Sequence, residues 1–205
     1  MFIDASTLDA ASTYRLLVGS VVPRPIAWVT SGIAPHAVNL APFSSFAWVS
    51  QHPAMLGFTV NRRPEGRKDT IENIERDGEY VINVVTDDML EPMHASSEWL
   101  APDHSEVEAQ DLRLAASEHV RVPRLADVKV SMEMVHERTI EFSPTGGQFV
   151  VGRVVGWHID EAVMTDGRID TELLRPVGRL AGPRYSGLAE VVELPAVPGG
   201  APTKA

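Results

Sequence analysis

The 205-residue chain contains no cysteine. That absence excludes a disulfide framework, a thiolate zinc site, an iron–sulfur cluster and a thiol nucleophile. Positive charge is scarce as well: 18 Lys+Arg against 28 Asp+Glu leave a formal net charge of −10. A duplex-binding protein neutralises phosphates with clustered cations, and the only basic cluster here is Arg62, Arg63, Arg67 and Lys68. No nucleic-acid partner is expected. No stretch approaches the roughly 20 apolar residues of a membrane span. Met1 to Ala10 holds two Asp residues and no basic start before an apolar run, so no secretory signal and no membrane are expected, and the cytoplasm is the expected compartment. Familiar catalytic signatures are missing too. There is no Gly-x-Ser-x-Gly elbow and no Gly-x-Gly-x-x-Gly after a strand, which argues against an α/β-hydrolase and a Rossmann site. The seven histidines (His36, His52, His94, His104, His119, His136, His158) form no pair at i, i+3 or i+4, so no metal site is expected.

What is present reads mainly as β. The length suits one domain with a core of its own, expected over residues 1–190, followed by a mobile Pro/Gly/Ala-rich tail over 191–205. Val18 to Val22, Pro25 to Thr30, Ala37 to Leu40, Ser44 to Val49 and Met55 to Val60 are short apolar segments split by Pro- and Gly-containing turns. Five strands in so short a span predict an antiparallel meander or barrel. The period then changes: Thr70, Ile71, Ile74 and Asp77 predict a short helix, with Asp69 or Thr70 as N-cap and Gly78 as its C-terminal stop. Tyr80 to Val85 returns to strand, and Asp87 to Ala95 predicts another short helix. Residues 96–120 lack a period and predict a long excursion over the barrel. From Val128 to Met134 apolar residues alternate with Lys129, Ser131 and Glu133, predicting a half-buried strand. Thr139 to Phe142, the turn Pro144-Thr145-Gly146-Gly147 and Gln148 to Ile159 predict a hairpin, with bulges at Gly152 and Gly156. Asp170 to Leu174 predicts a final helical turn.

Two segments carry candidate chemistry. Arg67-Lys68-Asp69-Thr70 opens the predicted helix, where unpaired N–H groups and the positive end of the dipole attract anions. Each charge-assisted hydrogen bond there contributes roughly 1.5–3 kcal/mol. The alternative is an ordinary helix start with solvated neighbours. In Asn39-Leu40-Ala41-Pro42-Phe43-Ser44-Ser45-Phe46, small and hydroxyl residues leave strand-edge groups open to a planar polar ligand; the alternative is a strand corner whose serines satisfy local backbone. Of the four tryptophans, Trp28 is the candidate flavin stacker and otherwise a core residue.

Taken together, Arg24-Pro25-Ile26-Ala27-Trp28-Val29-Thr30, Asn39-x-Ala41-Pro42-Phe43-Ser44-x-Phe46, Lys68-Asp69-Thr70-x-x-Asn73-Ile74, Glu79-Tyr80-Val81-Ile82-Asn83, Gly152-Arg153-Val154-Val155 and Pro176-Val177-Gly178-Arg179-Leu180 resemble the flavin reductase-like family. The resemblance implies a mainly β fold with short helices, the FMN-binding split β-barrel, a Greek-key-like antiparallel barrel. It implies FMN as cofactor, with FAD as the alternative, and NAD(P)H as electron donor. By the same resemblance Asn39, Ala41, Pro42, Phe43, Ser44 and Ser45 line the ring, and Arg67, Lys68, Asp69 and Thr70 hold the phosphate. Thr30 is placed near the ribityl chain or ring, and Arg179 and Tyr185 near the cofactor at a homodimer interface. Departures from the family pattern are Ala181-Gly182 for a Gly-Gly pair and Met132 and Met134 where a cysteine is common. The segment 96–117 retains only Glu106 and Glu108 of an acidic–aromatic pattern.

Because the flavin supplies the redox chemistry, no catalytic side chain is assigned. The implied activity is an NAD(P)H:flavin oxidoreductase that can feed a partner oxygenase. The alternatives are an FMN-dependent oxidase or monooxygenase acting on an organic substrate, and a non-catalytic flavin- or haem-binding module. Arg62 and Arg63 are either contacts for a 2′-phosphate or solvated loop residues.

Overall fold

A computed structural model describes residues 1–62, 66–101, 104–142 and 146–195. They form a seven-stranded antiparallel sheet from β1 (Ala27–Ser31), β2 (Asn39–Phe43), β3 (Phe46–Gln51), β4 (Ala54–Val60), β5 (Glu79–Val84), β6 (Val130–Glu141) and β7 (Gln148–Ile159). The strand order is β2-β1-β5-β6-β7-β4-β3. The two edge strands, β2 and β3, are consecutive in the chain and joined by Ser44 and Ser45 alone. A sheet whose opposite edges lie two residues apart has to curl back on itself, and Thr59 N–H donates to Ser45 C=O (2.9 Å), carrying the β3–β4 ladder into that corner. This is the split β-barrel that the sequence resemblance implies.

The apolar faces explain the curl. Val29, Phe43, Phe58, Val60, Tyr80, Ile82, Met134 and Val150 point into the barrel, and Ile71 and Ile74 plug it from helix α2 (Asp69–Asp77). An abrupt stop follows at Gly78, whose φ of 73° is the left-handed conformation expected of a C-terminal glycine. Outside the sheet, Trp28, Leu40, Val85, Met93, Val107 and Leu125 form a second layer beneath the excursion, which contains α3 (Leu90–Ala95) and α4 (Glu106–Ala109). Trp28 is thus a core residue, fully buried, its indole N–H donated to Ser96 Oγ at 2.9 Å. No helix among the described residues is long and apolar enough to cross a membrane.

Three sequence expectations are corrected. Val18 to Val22 is no strand: the chain runs as helix α1, Ala10–Ser20, because the Asp9 carboxylate caps it by accepting from Ser12 N–H at 2.7 Å. Helix α2 begins one residue earlier than predicted, so Lys68 rather than Asp69 or Thr70 occupies its N-cap, without a side-chain cap. Over Val130 to Met134 the strand β6 is not half solvated. Ser131 and Glu133 are buried, because the excursion covers the outer face that alternation would leave wet. The residues Pro144 and Thr145 of the predicted turn, and 196–205 of the predicted tail, lie outside the described residues.

The expected irregularities in β7 are present: register slips between Glu133 and Met134 opposite Gly156, and between His136 and Arg138 opposite Gly152. Gly152 is required by a close approach, since a Cβ there would stand 2.2 Å from Tyr80 Oη. That hydroxyl is buried with no hydrogen-bond partner among the described residues, and burial pushes its ionisation upward. Gly152→Ala is expected to destabilise by about 1–3 kcal/mol through overpacking. Tyr80→Phe removes an unsatisfied polar atom, so it is neutral or stabilising by up to about 1 kcal/mol. Combined, the two changes cost less than their sum, because phenylalanine withdraws the atom that alanine strikes. Urea unfolding of the four proteins measures this coupling, and strict additivity would contradict the packing described.

Candidate functional site

The barrel seam opens into a cleft of about 440 Å³. One wall is the β2–β3 corner, Pro42 to Ser45, with Thr59 and Asn61 from the end of β4 and Lys68 from the start of α2. The other wall is α1, which presents Tyr14, Leu17, Val18 and Val21. Arg24 joins the walls: its guanidinium donates to Val18 C=O (3.0 Å), Val21 C=O (2.9 Å), Leu180 C=O (3.0 Å) and, at longer range, Ser44 Oγ (3.4 Å).

A smaller cavity of about 40 Å³ adjoins the cleft, and Pro42 and Lys68 line both. Its other walls include Asn39, Ala41, Asp69, Thr70, Ser96, Ser97 and Glu106. Here the local fold builds an anion cradle. Ile71 and Glu72 N–H turn back to Lys68 C=O (3.0 and 3.3 Å), so the open end of α2 presents the N–H groups of Asp69 and Thr70. Asn39 Nδ2 donates to Thr70 Oγ1 at 2.9 Å, which fixes the hydroxyl and leaves its proton to donate. The Lys68 ammonium lies 5.3 Å from the centre of the Phe43 ring, between cradle and cleft. Against these donors stand the carboxylates of Asp69 and of Glu106, which is buried and accepts from Leu40 N–H (2.9 Å) on the free edge of β2.

The structure therefore brings together Asn39, Ala41, Pro42, Phe43, Ser44, Ser45, Lys68, Asp69 and Thr70. It places four predicted residues elsewhere. Thr30 is fully buried in the outer layer, its hydroxyl donated to Pro123 C=O at 2.8 Å. Arg67 turns to the flank of α2 and pairs with Glu75 at 2.6 Å. Arg179 stacks on Tyr185 (4.8 Å to the ring centre) and donates to its Oη at 2.7 Å, while His94 Nδ1 meets the same oxygen at 2.8 Å. Burial raises the ionisation of the Tyr185 phenol, and the Arg179 charge opposes that rise. This cluster sits off the cleft but is tied to it, because the backbones of Arg24 and Arg179 exchange hydrogen bonds (3.0 and 2.8 Å). Arg62 is engaged by Glu141 at 2.6 Å, and Arg63 lies outside the described residues. Glu106 belongs to the smaller cavity and Glu108 is exposed.

Arg24, Thr59, Asn61 and the face of α1 carry no role in the sequence reading. Arg24 alone offered a signal, a charged residue fixed between Pro23 and Pro25. The donor set fits a phosphorylated planar heterocycle, with an ammonium, a helix start and a hydroxyl at one end, and serines beside an edge strand at the other.

A family model, the flavin reductase like domain, matches residues 18–172. An uncharacterised protein of Halalkalibacterium halodurans is 40% identical over 199 residues, covering 95% of each chain. Nitrilotriacetate monooxygenase component B from Bacillus cereus superposes with a TM-score of 0.90 at 33% identity, over 95% of this chain and 98% of its own. The Pseudomonas fluorescens 2-nitrobenzoate 2-nitroreductase NbaA gives 0.88 at 31% identity over the full length of both. The chain belongs to the flavin reductase-like domain family, in its split-barrel form.

Proposed function

We propose that the protein is an FMN-dependent NAD(P)H:flavin oxidoreductase that works as a homodimer and supplies reduced flavin to a partner oxygenase. The observation that carries this reading is the continuity of the ring-sized cleft with the anion cradle, through Pro42 and Lys68. Lys68, the N–H groups of Asp69 and Thr70 and the Thr70 hydroxyl hold the phosphate. Asn39 keeps the Thr70 hydroxyl aimed. Pro42 to Ser45 form the floor under the ring, and α1 closes the cleft from the other side. A flavin held there would supply the redox chemistry of hydride acceptance from a nicotinamide, and no acid or base from the protein would be needed. A second copy of the chain is supported by α1, which has no buried residue and leaves Tyr14 and Leu17, and Val21 directly after it, more than half exposed. An oxygenase partner is supported by the similarity to component B of a monooxygenase.

A second reading, reduction or oxygenation of an organic substrate in the cleft, is favoured by the apolar side chains of α1 that face it. Anaerobic absorption spectra of the protein with FMN, before and after NADH or NADPH, test both. Flavin bands that shift on binding and bleach with one nucleotide support the reductase. Shifted bands that persist with both nucleotides contradict it and support the organic substrate. Free-flavin bands unaltered by the protein contradict both.

A further inference from the structure

Arg24 differs from the ion-paired arginines of this chain. Arg62, Arg67, Arg76, Arg113 and Arg121 each pair with a carboxylate, as expected where acids outnumber bases by ten (28 against 18). Arg24 is half-buried, and its four hydrogen bonds all go to neutral oxygens: three backbone carbonyls and the Ser44 hydroxyl. Among the described residues no carboxylate pairs with it. Carbonyl dipoles at the end of α1 satisfy its donors, fix its orientation and offset part of its charge, but supply no carboxylate, so net positive charge remains beside the ring-binding corner. A fixed cation without a carboxylate partner on the wall of a cleft is suited to a ligand that carries, or acquires, negative charge there.

Resting on the flavin reading above, we infer that Arg24 stabilises the reduced flavin in preference to the oxidised one. Hydride transfer from a nicotinamide, which leaves oxidised, brings two electrons and one proton to the ring. One negative charge then remains unless water supplies a second proton. Arg24 holds that charge. Its hydrogen bonds to α1, Ser44 and Leu180 keep the guanidinium in place whichever state is bound. Besides Arg24, the cleft is lined by one cation, Lys68, which faces the phosphate cradle, and by the phenol of Tyr14; its remaining polar groups are neutral, and the carboxylates of Asp69, Glu98 and Glu106 line the adjoining cavity on the far side of Lys68.

The test is the affinity of the protein for oxidised and for reduced FMN, measured anaerobically, with the midpoint potential of the bound flavin as the linked readout. Arg24→Gln is expected to weaken reduced FMN at least tenfold more than oxidised FMN, a fall of about 30 mV for a two-electron couple. Arg24→Lys keeps most of the wild-type preference. Lys68→Gln weakens both states alike and leaves the potential in place. Should Arg24→Gln fail to fold, the wild-type protein decides through the pH dependence of its potential. Uptake of one proton per two electrons should persist to lower pH than for free FMN. Equal weakening of both states by Arg24→Gln, or proton uptake by the wild-type complex that matches free FMN, overturns the inference. A wild-type protein that binds neither state overturns the flavin reading itself, which is a different result.

Discussion

Lys68→Ala is expected to lower FMN affinity about 10- to 100-fold, the loss of one charge-assisted contact, while riboflavin binds as to wild type. The distinction follows from where Lys68 stands. It occupies the N-cap of α2 without capping it, so the ammonium adds to the helix start instead of competing with it. Riboflavin has the ring and ribityl chain but no phosphate, so only contacts of the β2–β3 corner and α1 act on it. Arg67→Ala is the matched control. That guanidinium is one residue away, yet it is held by Glu75 on the flank of the helix. Its loss is expected to change FMN affinity less than threefold, within the range of a screened charge near the site. Fluorescence titration with both flavins measures the four affinities. Equal losses of FMN and riboflavin on removing Lys68 would place the ammonium at the ring, and a larger loss from Arg67 would place the phosphate on the other side of α2.

Glu133→Ala is expected to destabilise the protein by about 3–5 kcal/mol, the range for leaving buried partners of a charge unpaired. The carboxylate is fully buried on the outer face of β6. One oxygen accepts from Glu118 N–H (2.7 Å), the other from His119 (2.6 Å) and Val120 (3.1 Å), and His158 Nε2 approaches from β7. These bonds pin the strap whose Val120 and Val122 bury Val81. Burial alone would raise the carboxyl pKa, but the three N–H donors and His158 outweigh it, and the net position is below the ordinary 4.5. The sign of the pH effect follows. The unfolded chain binds the proton first, so the contribution is complete above about pH 4.5 and is lost as pH falls through the lower, folded value. Urea unfolding between about pH 3 and 6 should therefore show a stability loss in wild type that is shallower in Glu133→Gln. A variant curve parallel to wild type over that interval would remove Glu133 from the acid response.

The strands of the barrel are legible because their cores alternate against short turns, and Gly78 ends α2 as composition requires. Helix α1 is not, since Val18 to Val22 overlaps its last turn and β-branched residues read as strand; the informative residue was Asp9, nine positions upstream. Glu133 shows a different limit. Period 2 assigns it to the opposite face from Met132 and Met134 correctly, yet cannot say what covers that face, and the covering strap comes from a segment without any period. The site residues divide in the same way. Contiguous motif residues Asn39 to Ser45 and Lys68 to Thr70 meet in space because β2 and the start of α2 are neighbours. Arg67 was separable from Lys68 only by the pairing with Glu75, and Thr30 only by Pro123, a partner 93 residues away. Arg24 acts through carbonyls, which have no residue type to read.

A crystal structure of the protein with FMN tests the central claim most directly. The account predicts the phosphate at the start of α2, within hydrogen-bond reach of Lys68 Nζ and of the N–H groups of Asp69 and Thr70. The ring should lie against Pro42 to Ser45 beneath α1. A phosphate bound on the Arg67–Glu75 flank, or a ring seated outside the seam between β2 and β3, would contradict it.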